Sequence, residues 1–169
     1  MEQITIGQAQ KMSSPNPFAL LGYQMPNGST NLMAVSWWNY ASNHQPSLTV
    51  CLSKKGYANE RIRETGVFTL NVVAKGLEEN AFRCGTVSGR MCNKPIEFGI
   101  DLVDAVVGMP KGVQESAIVF SCRMRQEIPI EDHILFIAEI VDIQANPKNR
   151  PLFAMNGYSY LTPVSPDAV

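Results

Sequence analysis

Residues 47–73, SLTVCLSKKGYANERIRETGVFTLNVV, contain two apolar runs separated by a polar stretch. In residues 47–53 and again in residues 67–73, large apolar residues alternate with others, which is typical of strands with a buried face. Between the two runs, Asn59 is suited to cap a short helix that begins after it, and Gly66 is suited to end that helix. The stretch therefore predicts a strand, a short helix and a second strand.

The flanking sequence extends this pattern in both directions. A hairpin is predicted from residues 18–23 and 30–38, turning at Pro26-Asn27-Gly28. Two longer β-rich stretches occupy residues 116–130 and 133–144. Two or three short helices among six or seven strands predict a mostly β protein with antiparallel pairing. A small barrel would remove the exposed edges of such a sheet.

Length and composition indicate a globular protein. The 169 residues suit a single domain, with irregular tails expected over about residues 1–12 and 162–169. The chain is 45% hydrophobic and carries 14 basic and 15 acidic residues, without a basic stripe, so nucleic acid and membranes are not expected partners. The N-terminus lacks the features of a signal peptide and no apolar run could span a bilayer, so we expect a cytoplasmic protein.

Sequence motifs give no catalytic residue. The sequence contains no nucleophile elbow, zinc-protease, phosphate-loop or dinucleotide motif. The four cysteines lack metal-ligand spacing, so no metal site is predicted and reduced, mostly buried thiols are expected. Cys84 and Cys92 flank a glycine-rich loop and are the only two of the four that could lie near a site. If the chain is an enzyme, a cofactor must supply the difficult chemistry.

Three segments carry groups that a flavin mononucleotide requires. Residues 53–59 offer a hydroxyl, two lysines, a glycine and a helix N-terminus for a phosphate. Residues 31–38 offer a polar strand edge and aromatic walls for a flat ring, and residues 85–94 offer backbone donors. Local sequence leaves the alternatives open: an ordinary turn, a core strand and a surface loop. His133 can likewise bond a ligand or a neighbouring backbone group.

Six motifs occur along the chain in an order that is more specific than any one of the motifs by itself. They are Pro17 with the turn at Asn27-Gly28, Asn31-Leu-Met-Ala-Val-Ser-Trp37, Pro46 with the strand into Ser53-Lys54 and Tyr57, Arg61-Ile-Arg-Glu-Thr-Gly-Val-Phe-Thr-Leu-Asn71, Cys84-Gly85 through Ser88-Gly89-Arg90 to Lys94, and Asp132-His-Ile-Leu-Phe-Ile-Ala-Glu-Ile-Val141. In this order they resemble the flavin-reductase-like family of FMN-binding split barrels, which includes the flavoredoxins. The resemblance covers about residues 13–160.

This resemblance implies a homodimeric split barrel with FMN near the dimer interface. It places the flavin ring along residues 34–37, the ribityl and phosphate groups at residues 53–55, and the closing loop at residues 86–88. The implied cofactor-binding residues are Met33, Ala34, Val35, Ser36, Trp37, Ser53, Lys54, Lys55, Tyr57, Asn59, Thr86, Val87, Ser88, Lys94 and His133. The chain departs from the family at Ala58 and Asn59, where many members carry Thr, and at Ala138, where members often carry Gly.

The function that the resemblance implies is an FMN-dependent oxidoreductase that takes a hydride from NAD(P)H and passes electrons to a flavin or a redox protein. The alternative is a flavoredoxin-like carrier that holds FMN without oxidising NAD(P)H itself. A third possibility is a binding or stress protein on the same fold with little or no flavin.

Overall fold

The computed structural model describes residues 1–164. The helices within this range are α1 (Ile6–Met12), α2 (Tyr57–Thr65), α3 (Glu78–Arg83) and α4 (Lys94–Phe98). The strands are β1 (Asn16–Pro17), β2 (Ala19–Gln24), β3 (Thr30–Val35), β4 (Trp38–Ser42), β5 (Ser47–Ser53), β6 (Val67–Val73), β7 (Leu102–Val103), β8 (Gly112–Val113), β9 (Ser116–Ile130), β10 (His133–Ala145), β11 (Leu152–Met155) and β12 (Tyr160–Pro163). The prediction of a mostly β, antiparallel protein is confirmed.

The main sheet has seven strands in the order β3-β2-β6-β9-β10-β5-β4, and its pairs are antiparallel. Its two end strands, β3 and β4, are separated in the chain by only Ser36 and Trp37. Seven strands laid flat would put these ends about 29 Å apart, at about 4.8 Å per strand. Two residues cannot span that distance, since each extends at most about 3.6 Å. The sheet must therefore curl into a barrel, and the hydrogen bond from Cys51 N to Trp37 O (2.8 Å) continues the β4–β5 pairing into the crossing.

The barrel has a core on each side of its wall. Phe68, Leu70 and Val72 of β6 point into the barrel, where they pack in a core that includes Tyr23 and Phe120. The opposite face of β2 and β6 is covered by α3, α4 and the small sheet β1-β11-β12, so Leu20 and Val73 lie in a second core. Burial on both faces explains why β6 is almost wholly buried although its sequence alternates.

Asn71 connects these layers from within β6. Its Nδ2 donates to Leu20 O of β2 (2.8 Å), and its Oδ1 accepts from Val113 N of β8 (2.9 Å). An unpaired buried polar group is costly, so both strands are held at this position. The last residue of the motif that begins at Arg61 is thus a structural tie.

Four sequence predictions about element boundaries need correction, and the first three concern the N-terminus, α2 and β3. The irregular tail predicted for residues 1–12 contains α1, because Thr5 and Gln8 form a reciprocal capping box. Helix α2 begins at Tyr57 after the N-cap Gly56, so Asn59 lies in its first turn instead of capping it. The strand predicted for residues 30–38 ends at Val35, because the chain crosses there to the other end of the sheet.

At the C-terminus, β12 extends to Pro163, so residues 162–163 are not an irregular tail; residues 165–169 lie outside the described residues. The end of α2 is as predicted. Gly66 adopts a left-handed conformation (φ 72°), which only glycine takes without strain, and its N–H caps Ile62 O. Among the four described helices, none has the length and apolar character needed to cross a membrane.

Candidate functional site

The barrel opens to a cavity of about 510 Å³ where its two end strands meet. Several separate segments contribute to the wall: the end of β3 with the Ser36–Trp37 crossing, the end of β5 with the first turn of α2, the loop after α3, and the start of β10. This volume lies within the range that small-molecule and cofactor sites occupy, about 300–1,000 Å³.

Nearly all of the residues predicted to bind a cofactor line this one cavity. They are Met33, Ala34, Val35, Ser36, Trp37, Ser53, Lys55, Tyr57, Thr86, Val87, Ser88, Lys94 and His133. The structure brings them together from four regions of the chain, and their role in binding stays a prediction.

Lys54 and Asn59 do not line the cavity. Lys54 is exposed, and its backbone N–H donates to Asp132 O (2.9 Å), which closes the end of the β5–β10 pair. Asn59 is buried, and its Nδ2 donates to Ser53 O (2.6 Å), so it stabilises the turn between β5 and α2 without lining the cavity. Its Oδ1 has no partner among the described residues.

The cavity is also lined by residues outside the predicted cofactor-binding set. They are Tyr23, Cys51, Leu52, Gly56, Ala58, Cys84, Gly85, Gly89 and Tyr158. Of the two cysteines that could lie near a site, only Cys84 lines the cavity, and the other lining cysteine is Cys51. Strand alternation could have indicated Cys51, because it shares the outer face of β5 with Ser53. Nothing local could have indicated Tyr158, which reaches the cavity from the turn before β12.

Lys94 is the buried cation of the site. Its residue is 2% exposed, and its Nζ donates to Cys84 O (2.6 Å). Burial lowers the pKa of this ammonium group, although the nearby Cys84 and Cys92 thiols act in the opposite direction. Within residues 1–164 it forms no ion pair with a carboxylate. An ammonium group has three N–H donors, so it retains donors for an anionic or polar ligand.

The electrostatics of the cavity favour an anion. Its wall contains Lys55, Lys94 and His133, and none of the residues 1–164 that line it is an aspartate or glutamate. The first turn of α2 also borders it through Tyr57 and Ala58, and no side chain caps the N-terminus of this helix. The first N–H groups of a helix have no intrahelical partner and bind phosphate readily.

An aromatic pair forms another part of the wall. The rings of Trp37 and His133 stack with centroids 4.8 Å apart and an interplanar angle of 28°. His133 Nδ1 lies 2.8 Å from Asp132 Oδ1, and this hydrogen bond holds the pKa of Asp132 below its usual value. A carboxylate only accepts, so Nδ1 carries the proton, and Nε2 is left to accept a hydrogen bond in the neutral ring. Trp37 is 47% exposed, so its surface is available to a ligand or partner.

A short segment that we call the strap, residues 85–93, covers one side of the cavity. Asn31 fixes it: Nδ2 donates to Gly89 O (3.2 Å) and Cys92 O (2.8 Å), and Oδ1 accepts from Lys94 N (3.0 Å). Asn31 does not line the cavity. The first residue of the Asn31–Trp37 motif therefore supports the site without forming its wall.

The cavity suits a flavin by several physical criteria: its volume, its cationic and carboxylate-free wall, the uncapped helix N-terminus and the exposed aromatic face.

The described residues contain no cluster of three or more His, Cys, Asp or Glu side chains suited to a metal ion. Burial raises the pKa of the Cys84 thiol to about 12, so this cysteine stays protonated and is not a ready nucleophile.

Comparison with known proteins identifies the family of the domain. The model of the flavin reductase like domain matches residues 12–162. An uncharacterized protein of Archaeoglobus fulgidus is 27% identical over 113 residues, which are 67% of this chain and 64% of that protein. The match thus spans less than two thirds of that relative's length.

Solved structures show the same fold. A flavoredoxin from Methanosarcina acetivorans superposes with a TM-score of 0.84 at 24% identity, covering 98% of this chain and 92% of that chain. An NADH:FAD oxidoreductase of Streptomyces globisporus superposes with a TM-score of 0.85 at 14% identity, covering 98% and 99%. At these identities the likeness concerns the fold alone. Because the domain model matches nearly the whole chain, the protein belongs to the flavin reductase like family.

Proposed function

We propose that the protein is an FMN-binding oxidoreductase that accepts electrons from NAD(P)H. The observation that carries this proposal is a carboxylate-free cavity whose wall includes both the buried Lys94, which retains donors, and the uncapped N-terminus of α2. A ligand without acceptor atoms would leave that cation without a partner, whereas a phosphate, or the carbonyl oxygens and ring nitrogens of a flavin, would accept its hydrogen bonds.

In this proposal, each part of the cavity wall contacts a particular part of the flavin or of the nicotinamide. The α2 N-terminus, Ser53 and Lys55 bind the phosphate. Residues 34–37 flank the ring, and Lys94 donates to it or to the chain that joins it to the phosphate. A bound flavin supplies the two-electron chemistry, accepting a hydride and releasing the electrons to an acceptor. The stacked Trp37 and His133 rings provide a surface against which the nicotinamide packs.

The absorbance of the purified protein tests the proposal directly. The expected result is a yellow protein, or one that binds added FMN, which bleaches near 450 nm when it is mixed with NADH or NADPH in a stopped-flow instrument. A flavin-loaded protein that bleaches only with dithionite would contradict the NAD(P)H step and fit a flavoredoxin-like electron carrier. Preference for FAD over FMN in titrations would correct the cofactor, and refusal of both would refute the proposal.

We also propose that the protein is a homodimer and that the outer face of the β9–β10 hairpin forms the interface. Ile128 and Ile130 of β9 are 37% and 45% exposed, and they lie opposite Leu135 and His133 of β10. Exposed apolar side chains grouped in this way are typical of interaction sites. His133 also lines the cavity, so a partner on this face would approach the flavin site.

A further inference from the structure

The strap and the start of helix α2 both contribute to the wall of the cavity. Gly85 and Ser88 of the strap line it, as do Gly56 and Tyr57 of α2 and its N-cap. A contact that joins the strap to α2 would limit how far these two parts of the wall can separate, and so how easily a ligand between them can leave. The contacts between the walls therefore bear on how long a ligand stays.

Arg90 joins these walls from outside the cavity. Its guanidinium carbon lies 4.3 Å from the centroid of the Tyr57 ring, and its Nη2 forms an ion pair with Glu60, one turn further along α2. Tyr57 and Glu60 are three residues apart, so one arginine can contact both on the same helix face. Arg90 itself does not line the cavity.

Arg90 is also coupled to the part of the strap that touches a ligand. Its backbone N–H donates to Ser88 Oγ (3.3 Å), and Met91 N donates to Ser88 O (3.0 Å). On both sides of Arg90 the strap is fixed, because Asn31 Nδ2 donates to Gly89 O and to Cys92 O. Residues 85–88 are exposed, whereas Gly89 is buried. The contact with α2 thus lies next to the boundary between the fixed and the exposed parts of the strap.

We propose that Arg90 is a latch that holds the strap against α2 and sets the rate at which flavin leaves. The inference rests on the proposed flavin site. The Arg90–Glu60 ion pair is half-exposed, with side-chain exposures of 51% and 50%, and an exposed ion pair or cation–π contact is individually weak. The latch therefore opens readily, and it tunes retention without making it permanent.

The test is the dissociation rate of FMN from wild type and from Arg90→Ala, measured by the recovery of flavin fluorescence on dilution. We expect Arg90→Ala to release FMN roughly fivefold faster, which corresponds to about 1 kcal/mol. Arg90→Lys, which keeps the charge, should restore part of the retention. The matched control is Arg63→Ala, because Arg63 likewise forms an ion pair between α2 and another element, with Glu127 (2.7 Å) of β9, but neither residue lines the cavity.

A second readout needs no flavin. In the flavin-free protein, Arg90→Ala should speed hydrogen exchange of the backbone amides in residues 85–88, whereas Arg63→Ala should not. Equal FMN release and equal exchange in wild type and Arg90→Ala would overturn the latch while leaving the proposed function intact. A wild-type protein that binds no flavin would overturn the proposed function and the role in retention together.

Discussion

At the scale of single residues, Lys94 combines deep burial with the absence of a carboxylate partner in the described part of the chain. Burial lowers its pKa below the ordinary value of 10.5. In the unliganded protein, charged Lys94 therefore costs stability at neutral pH. As pH rises through the lowered pKa, the folded state loses this proton before the unfolded state does, and the cost is relieved.

The lowered pKa of Lys94 predicts how the free energy of unfolding changes with pH. The free energy of unfolding of wild type, relative to Lys94→Met, should increase between about pH 7 and about pH 10, because only wild type carries the titrating group. Urea denaturation of both flavin-free proteins at each pH measures the difference, in which other titrating groups cancel. A difference that stays constant, or that moves in favour of Lys94→Met, would contradict the assigned burial cost.

Neighbouring lysines provide a second prediction at this scale. Lys55 lines the cavity and Lys54 does not, although both lie in the same turn. Lys55→Ala should weaken FMN binding about tenfold, or about 1.4 kcal/mol, because a charged phosphate contact is lost. Lys54→Ala serves as the matched control and should change the Kd less than about twofold. Fluorescence titration measures both, and equal effects would show that the cavity wall does not decide which lysine contacts the phosphate.

At the scale of elements, the strap depends on a close approach between its backbone and β2. A Cβ added to Gly89 would lie 1.9 Å from the hydroxyl oxygen of Tyr23, a residue that is itself 1% exposed. Neither side can move freely, since Asn31 also holds Gly89 through its carbonyl oxygen. The glycine is needed here for space, because without a side chain it lets the strap lie directly on the tyrosine.

The corresponding prediction is a paired substitution. Gly89→Ala should destabilise the protein by about 1–3 kcal/mol through overpacking. Tyr23→Phe removes the hydroxyl oxygen that the added methyl group would meet. The double variant should therefore recover much of the stability that Gly89→Ala alone loses. Chemical denaturation of the single and double variants gives the coupling energy. Additive effects would show that the strap adjusts elsewhere.

At the scale of the whole molecule, the long β9–β10 hairpin carries the proposed dimer interface. Ile130→Lys should shift the protein toward monomer, because a charge would replace apolar area that the partner covers. Val107→Lys is the control, since Val107 is 99% exposed and lies in the loop between β7 and β8, away from the hairpin. Sedimentation velocity at matched concentrations measures the change. A monomeric wild type, or a dimer that both variants leave intact, would refute this interface.

The local sequence determined much of the regular secondary structure of this protein. Alternating residues specify β5 and β6 to the residue, because a strand exposes its two faces in turn whatever lies beside it. Gly66 ends α2 through a backbone conformation that depends on that residue alone. The ordered motifs also identified the family, and most of the residues expected to bind a cofactor line one cavity.

Only the tertiary structure decided how these elements meet. The crossing at Ser36 and Trp37 reads locally as the continuation of a strand, and it becomes a barrel closure because the strand order places β3 and β4 at opposite ends of the sheet. The different positions of Lys54 and Lys55, and the supporting roles of Asn31 and Asn71, likewise depend on partners far away in the chain. Local periodicity describes which way a side chain points along one element. Which groups it then meets is set by long-range pairing, and a short sequence pattern carries no record of that.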